Sequence, residues 1–466
     1  MNNNRILRVL SGEGFNKAVS SIIAIIIGLL FGFLILIIAN PDNAVQGFLT
    51  ILGGGFMGGG QGFGQVLYYA TPLIMTGLSV GCAFKTGLFN IGASGQFIIG
   101  GAAAIYVGVY WTSLGSVHWI VAILCAALVG GLWGALPGLL KAFFNVHEVI
   151  ATIMMNYIGM YTANYVISHY AYDANRNLSM DVAKTAEIPK WGLDDIFYNQ
   201  FGAYKETSSL NGGFIIAVVI AIIVYIVFYK TIFGYELMAV GHNKDAGKYA
   251  GINSKKQIIM SMIIAGALAG IGGALVFLSG PSARHIAIVD ELAVDGFNGI
   301  SVALLGLSNP IGIIFSSIFI GYLDQGGTYL QSLNYMPEVI EIIVACIIYF
   351  SAFSLLFRKF MPMLIKKFNK TDDIGIANQT DDIGIANKSD DAGIANKSDD
   401  DGIANKPDDA GIANKTDDTG IANKSDDAGI ANDKVANNID NAKDDEITKA
   451  EKGNTVYKAE TEGGQE

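Results

Sequence analysis

The chain has 466 residues, 52% of them hydrophobic and only 15% charged, with a formal net charge of −11. A soluble globular domain carries about 25% charged residues, so this composition excludes an ordinary water-soluble enzyme or nucleic-acid-binding protein and points to the membrane. The negative charge is local: residues 1–370 are apolar with basic edges, and residues 371–466 are polar and acidic.

A membrane helix needs about 20 consecutive apolar residues. Ten segments come near that, at 18–39, 65–84, 95–111, 118–140, 149–171, 213–229, 257–279, 291–308, 310–330 and 338–357. The third and eighth are short or broken by glycine. The first is too long for a signal-peptide core and reads as a retained anchor. Basic residues set the orientation. Arg5, Arg8 and Lys17 precede the first segment, Lys85 and Lys141 follow the second and fourth, Lys230 to Lys256 lie between the sixth and seventh, and Arg358 to Lys367 follow the tenth. With an even number of crossings all fall on one side, the positive-inside pattern of a multi-pass protein of the cell (inner or cytoplasmic) membrane with both termini cytoplasmic. The domains expected are a cytoplasmic segment 1–17, a transmembrane body 18–360 and a tail 361–466. Cys82, Cys125 and Cys346 sit singly in apolar runs, without the pairing of a disulfide framework or a metal site.

The break between the second and third segments is the most informative stretch. Residues 87–97 read GLFNIGASGQF, with glycines that let the chain turn and Asn90, Ser94 and Gln96 as polar groups at membrane depth. Irregular backbone in hydrocarbon survives only where protein or a water-filled cavity covers it. Two readings stay open on spacing alone: helix packing through small residues, or the lining of a substrate path.

Residues 70–97 (ATPLIMTGLSVGCAFKTGLFNIGASGQF), 147–161 (HEVIATIMMNYIGMY), 234–253 (GYELMAVGHNKDAGKYAGIN) and 295–312 (DGFNGISVALLGLSNPIG) resemble, in order, the permease subunits of ATP-binding-cassette importers. They are most similar to the nucleoside branch, with simple-sugar and branched-chain amino-acid permeases as cousins. The resemblance covers roughly residues 5–360. Ser94 stands where the family usually has glutamate, and Asn298 where it often has aspartate. The fold this implies is all-α, a polytopic type II importer of about ten transmembrane helices. The function it implies is passage of nucleosides through a central path by alternating access. A sugar permease is the alternative, and an ion-coupled secondary transporter the one from another class; the scarcity of charge within the segments counts against the latter. Partners implied are a separate ATPase, a second and different permease subunit, and an extracytoplasmic substrate-binding lipoprotein. The candidate path residues are Asn90, Ser94, Gln96, Asn156, Phe297 and Asn298, with Phe89 and Phe97 as further aromatics beside polar motifs.

The basic stretch between the sixth and seventh segments reads as a short amphipathic helix over Glu236–Gly251, with Leu237, Val240 and Tyr249 as apolar contacts and a break at Gly241. A helix of that kind docks in a partner's groove, and the resemblance makes it the coupling element for the ATPase, through Glu236, Gly241, Asn243, Ala246, Tyr249 and Gly251. The run from Gly241 to Tyr249 has the wrong spacing for a phosphate-binding loop, so ATP hydrolysis is expected in another subunit and not here. The histidines show no ligand spacing; neither metal nor cofactor is expected. Asp324 stands before Gly326-Gly327 and reads as solvated at an outer end. From residue 371 a nine-residue unit, first TDDIGIANQ, is present in seven copies through 433. With one glycine per unit and few apolar groups, it reads as a disordered, solvated extension.

Overall fold

The computed structural model describes residues 13–201, 204–280 and 283–352. The N-terminal twelve residues, the end of the tenth segment and the acidic tail with its repeats lie outside the described residues.

Hydropathy dictates the long helices, and each predicted segment overlaps one. They are α1 (Glu13–Ala39), α3 (Gly59–Lys85), α4 (Ala93–Tyr110), α5 (His118–Phe144), α6 (Glu148–Tyr170), α7 (Gly213–Lys230), α10 (Ser254–Phe277), α11 (Val294–Leu305), α12 (Pro310–Leu330) and α13 (Pro337–Ala352). A short α2 (Ala44–Gly53) lies between α1 and α3, and α8 (Ile232–His242) and α9 (Lys244–Tyr249) between α7 and α10. Local chemistry sets several starts: the side chains of His147, Asn253 and Asn309 accept from Val149, Lys256 and Ile311 N–H groups at 3.3, 3.1 and 3.0 Å, satisfying donors that a helix start leaves open. Among the described residues, α3, α4, α5, α7 and α10 are each long and apolar enough to cross a membrane unaided. The eighth segment contracts to α11, whose twelve residues reach about 18 Å at 1.5 Å per residue.

Helices α3, α4 and α10 form the inner layer. Small residues bring their backbones together. A methyl on Gly130 of α5 would come within 2.5 Å of the Gly266 carbonyl oxygen of α10, and one on Gly270 would collide with the Ala126 carbonyl. With lipid outside, association rests on such close packing rather than on expulsion of apolar surface from water. Outward, α5 exposes Leu124, Leu128, Leu132 and Leu136, one stripe at every fourth residue, as a lipid-facing helix requires.

The loop between α6 and α7 holds two antiparallel hairpins, β1 (Tyr172–Asp173) with β2 (Leu178–Ser179), and β3 (Tyr198–Phe201) with β4 (Tyr204–Thr207). Asn199 ties the second to the start of α3, its Nδ2 donating to the Gly58 carbonyl at 2.6 Å and its Oδ1 accepting from Gln61 N at 3.3 Å. An isolated bridge, Leu178 to Ala287, ties the first to the loop before α11.

Candidate functional site

The chain leaves helix at Thr86 and regains it at Ala93. Gly87, at φ +71°, makes the turn, and a methyl there would lie 2.7 Å from the Gly241 carbonyl oxygen of α8. Asn90 then fastens the irregular strand. Its Nδ2 donates to Gln96 Oε1 at 2.9 Å and to Ser79 Oγ at 3.3 Å. Its Oδ1 accepts from Gly92 N at 3.1 Å and from Gln96 Nε2 at 3.3 Å. Asn156, from α6, closes the other side: its Nδ2 donates to the Ile91 carbonyl at 3.0 Å, and its Oδ1 accepts from Gly95 N at 2.8 Å. The side chains thus supply partners that a non-helical backbone in hydrocarbon lacks.

Ser94 Oγ donates to the Ala293 carbonyl at 2.8 Å, joining α4 to the residue before α11. Gly296 presses on the Ser94 backbone, and a methyl on Gly299 would lie 2.7 Å from the Thr76 carbonyl carbon. The structure therefore brings Asn90, Ser94, Gln96 and Asn156 into one knot, each at most 1% exposed. Phe297 and Asn298, half-buried on α11, share no hydrogen bond with it. Phe97 is closed off in the core, edge-on to Phe277, and Phe89 stacks on Phe84 at 5.0 Å.

A second polar group went unmarked in the sequence. Arg284 pairs with Asp295 at 3.0 Å, and both lie within electrostatic reach of Tyr68 and Asp324. Arg284 is ten residues from the start of α11 in an irregular loop, and no periodicity reveals the depth of such a loop. Asp324 thus has charged neighbours that its position beside two glycines did not reveal.

The segment expected to be one amphipathic helix over Glu236–Gly251 departs from that form. It is two helices, broken at Asn243 rather than Gly241, because Asn243 Oδ1 accepts from Asp245 and Ala246 N–H groups, both at 3.0 Å, and starts a new helix. Leu237 and Val240 are buried as expected, but Tyr249 is 95% exposed. Gly251, at φ +81°, turns the chain toward α10 with open space around it. Glu236 accepts from Gln257 Nε2 of α10 at 2.6 Å. Gly241 lies against Gly87, and Thr86 meets Ser261 hydroxyl to hydroxyl. This hairpin is therefore anchored at one end of the polar knot and free on its outer face.

The profile of the branched-chain amino acid transport system permease component matches residues 62–352. The chain is 38% identical over 347 residues to the guanosine ABC transporter permease protein NupP of Bacillus subtilis, covering 74% of this chain and 96% of that one. It is 34% identical over 349 residues to the nucleoside ABC transporter permease protein NupB of Lactococcus lactis, covering 74% and 93%. Against the glucose ABC transporter permease protein TsgB13 of Haloferax volcanii the identity is 28%, over 64% of this chain and 78% of that one. No solved structure matches. The glycine-broken, amide-fastened entry to α4 and the hairpin beneath it lie within the matched span, and the chain belongs to the branched-chain amino acid transport system permease family.

Proposed function

We propose that this chain is a membrane permease subunit of an ATP-driven importer whose solute is a nucleoside. The observation that carries this is the extent of the likeness to the guanosine and nucleoside permeases, nearly their whole length, against a weaker and shorter likeness to the glucose permease. The helical body would cross the membrane ten times with both termini cytoplasmic, which the lysine and arginine distribution supports. In that frame α8 and α9 face the cytoplasm. A separate ATPase would grip their free surface, with Tyr249 and Ala246 outermost and Glu236, Gly241, Asn243 and Gly251 setting the shape of the hairpin. A second, different permease would complete the central path, and an extracytoplasmic binding lipoprotein would deliver the solute. We assign Phe297, Asn298 and the Arg284–Asp295 pair to the border of that path, and Asn90, Ser94, Gln96 and Asn156 to the wall behind it.

Chemistry at the path follows from this arrangement. A nucleoside is uncharged and offers donors and acceptors around a flat ring; amides and an internally neutralised ion pair can exchange hydrogen bonds with it without a net charge to hold it fast. Nothing covalent is required, and alternating exposure supplies direction. The test is uptake of labelled guanosine into vesicles holding the chain with its ATPase, second permease and binding protein. ATP-dependent uptake, competed by other nucleosides and not by glucose, is expected. Uptake of glucose without nucleosides would overturn the reading.

A further inference from the structure

Away from the knot, a partly enclosed cavity of about 310 Å³ opens between β2, the loop that follows it, the end of α10 and the loop before α11. Its volume lies in the range of small-molecule sites, about 300–1,000 Å³. The apolar part of its lining includes Ile105 of α4 and Phe277 of α10, with Met180 and Val182 from the loop after β2; the polar part includes Asp181, Lys184, Glu187 and His285.

These polar groups divide into two kinds. Asp181 and His285 belong to a brace. Asp181 is held by Arg176 at 2.5 Å and lies 3.4 Å from His285 Nε2, while His285 Nδ1 is 3.1 Å from the Ser179 carbonyl oxygen. The guanidinium of Arg176 keeps the Asp181 carboxyl below its ordinary range, so this acid is already occupied. Lys184 and Glu187 differ: neither has a hydrogen bond or ion pair to any other described residue, yet both line the cavity. Gly280, in the left-handed region at φ +67°, leaves room for the Glu187 carboxylate, which a methyl there would approach to 2.8 Å.

A cavity with an apolar floor, one uncommitted ammonium and one uncommitted carboxylate suits a neutral ligand with a flat ring, acceptors at one edge and hydroxyls at the other. Each free charge then makes a charge-assisted hydrogen bond, the stronger kind, and no net ligand charge is demanded. The wall of this cavity also carries Ala283 and His285, on either side of Arg284 in chain, so the same loop reaches from the cavity to the Arg284–Asp295 pair. We propose that this cavity is a waiting site for the nucleoside, in which Glu187 accepts from the ribose hydroxyls, Lys184 donates to the base, and the solute pauses before entering the path. This rests on the nucleoside reading above.

The experiment uses the purified full chain in lipid nanodiscs, without binding protein, with tritiated guanosine, adenosine and uridine as probes and glucose as control. Glu187→Gln and Lys184→Met are each expected to weaken nucleoside binding about tenfold, the loss of roughly 1.4 kcal/mol. Both residues are solvent-accessible, and monodispersity on gel filtration reports on folding. A second measurement leaves both in place: in Ala283→Cys, labelling by a membrane-impermeant maleimide is expected to slow with added nucleoside and not with glucose, relative to the parent chain. Wild-type affinity in both variants, or labelling indifferent to nucleoside, overturns the site while leaving nucleoside uptake by the full complex untouched. Protection by glucose alone overturns the assigned ligand, and import of glucose alone by the complex separately overturns the transport reading.

Discussion

At Asn90 one side chain holds two others and a backbone N–H in place with no exposure to solvent. Asn90→Ala would leave the Gln96 amide and Gly92 N–H buried without those partners, at about 1–3 kcal/mol for each group stranded. Lower thermal stability in detergent, read by fluorescence-detected gel filtration, is the expected outcome; an unchanged melting point with altered transport would instead make Asn90 a solute contact. Ser94→Glu introduces the acid that the resemblance implies at this position, but Gly296 sits on the Ser94 backbone and Ser94 Oγ already serves Ala293. We expect Ser94→Glu to lose assembly, since a carboxylate without a partner at membrane depth costs about 2.5–3.5 kcal/mol on insertion scales. Normal abundance and uptake would show that Ser94 borders water.

The paired short helices α8 and α9 meet the body through Glu236–Gln257 and through Gly241 against Gly87. These contacts join the hairpin to the segment that Asn90 fastens, and Ser94 joins the far end of that segment to the residue before α11. A mutation at this contact tests whether the two ends are coupled. Glu236→Ala should lower transport per ATP hydrolysed in reconstituted vesicles, by about threefold or more if the link contributes near 0.7 kcal/mol, while complex assembly persists. An unchanged ratio would rule this link out of the transmission. At the other face, the hairpin β1–β2 is braced by Arg176 on Asp173 and Asp181. Both aspartates have folded values below the ordinary range because Arg176 bonds to their charged forms. Their contribution is therefore present above the ordinary carboxylate range, near pH 3.9, and is lost as pH falls through the depressed values. Protection of 172–181, read as exchange rates corrected for the intrinsic pH dependence of amide exchange, should fall as pH drops from about 4 to about 2; unchanged protection would mean that the ion pairs hold nothing.

Among the described helices, the glycines of α10 admit α4 and α5 at backbone distance. Gly266→Leu should abolish folded protein, since its side chain would have to enter the Gly130–Gly134 backbone; recovery of monodisperse protein would show that α5 can move away. Family membership explains why the motif order matched over most of the chain, and the residue 62 start of the profile match leaves α1 outside it.

Local sequence determined a good deal. Apolar runs fixed the long helices because a bilayer demands about 20 such residues. Asn309-Pro310 marked the start of α12, and the glycine-rich GLFNIGASG marked a break, since these act on their nearest backbone groups. Sequence left open whether the break served packing or passage, and placed the hairpin's interruption at Gly241 rather than Asn243. What each polar group meets was decided only by tertiary structure. Ser94 and Ala293 are 199 positions apart and Gly95 and Asn156 are 61 apart; the Arg284–Asp295 pair faces Tyr68 and Asp324 from other helices; and Tyr249, apolar enough to suggest a buried contact, stands in the open. Periodicity reports which face of a helix is apolar, whereas the partner of a buried donor depends on how several helices cross, and no local pattern encodes that.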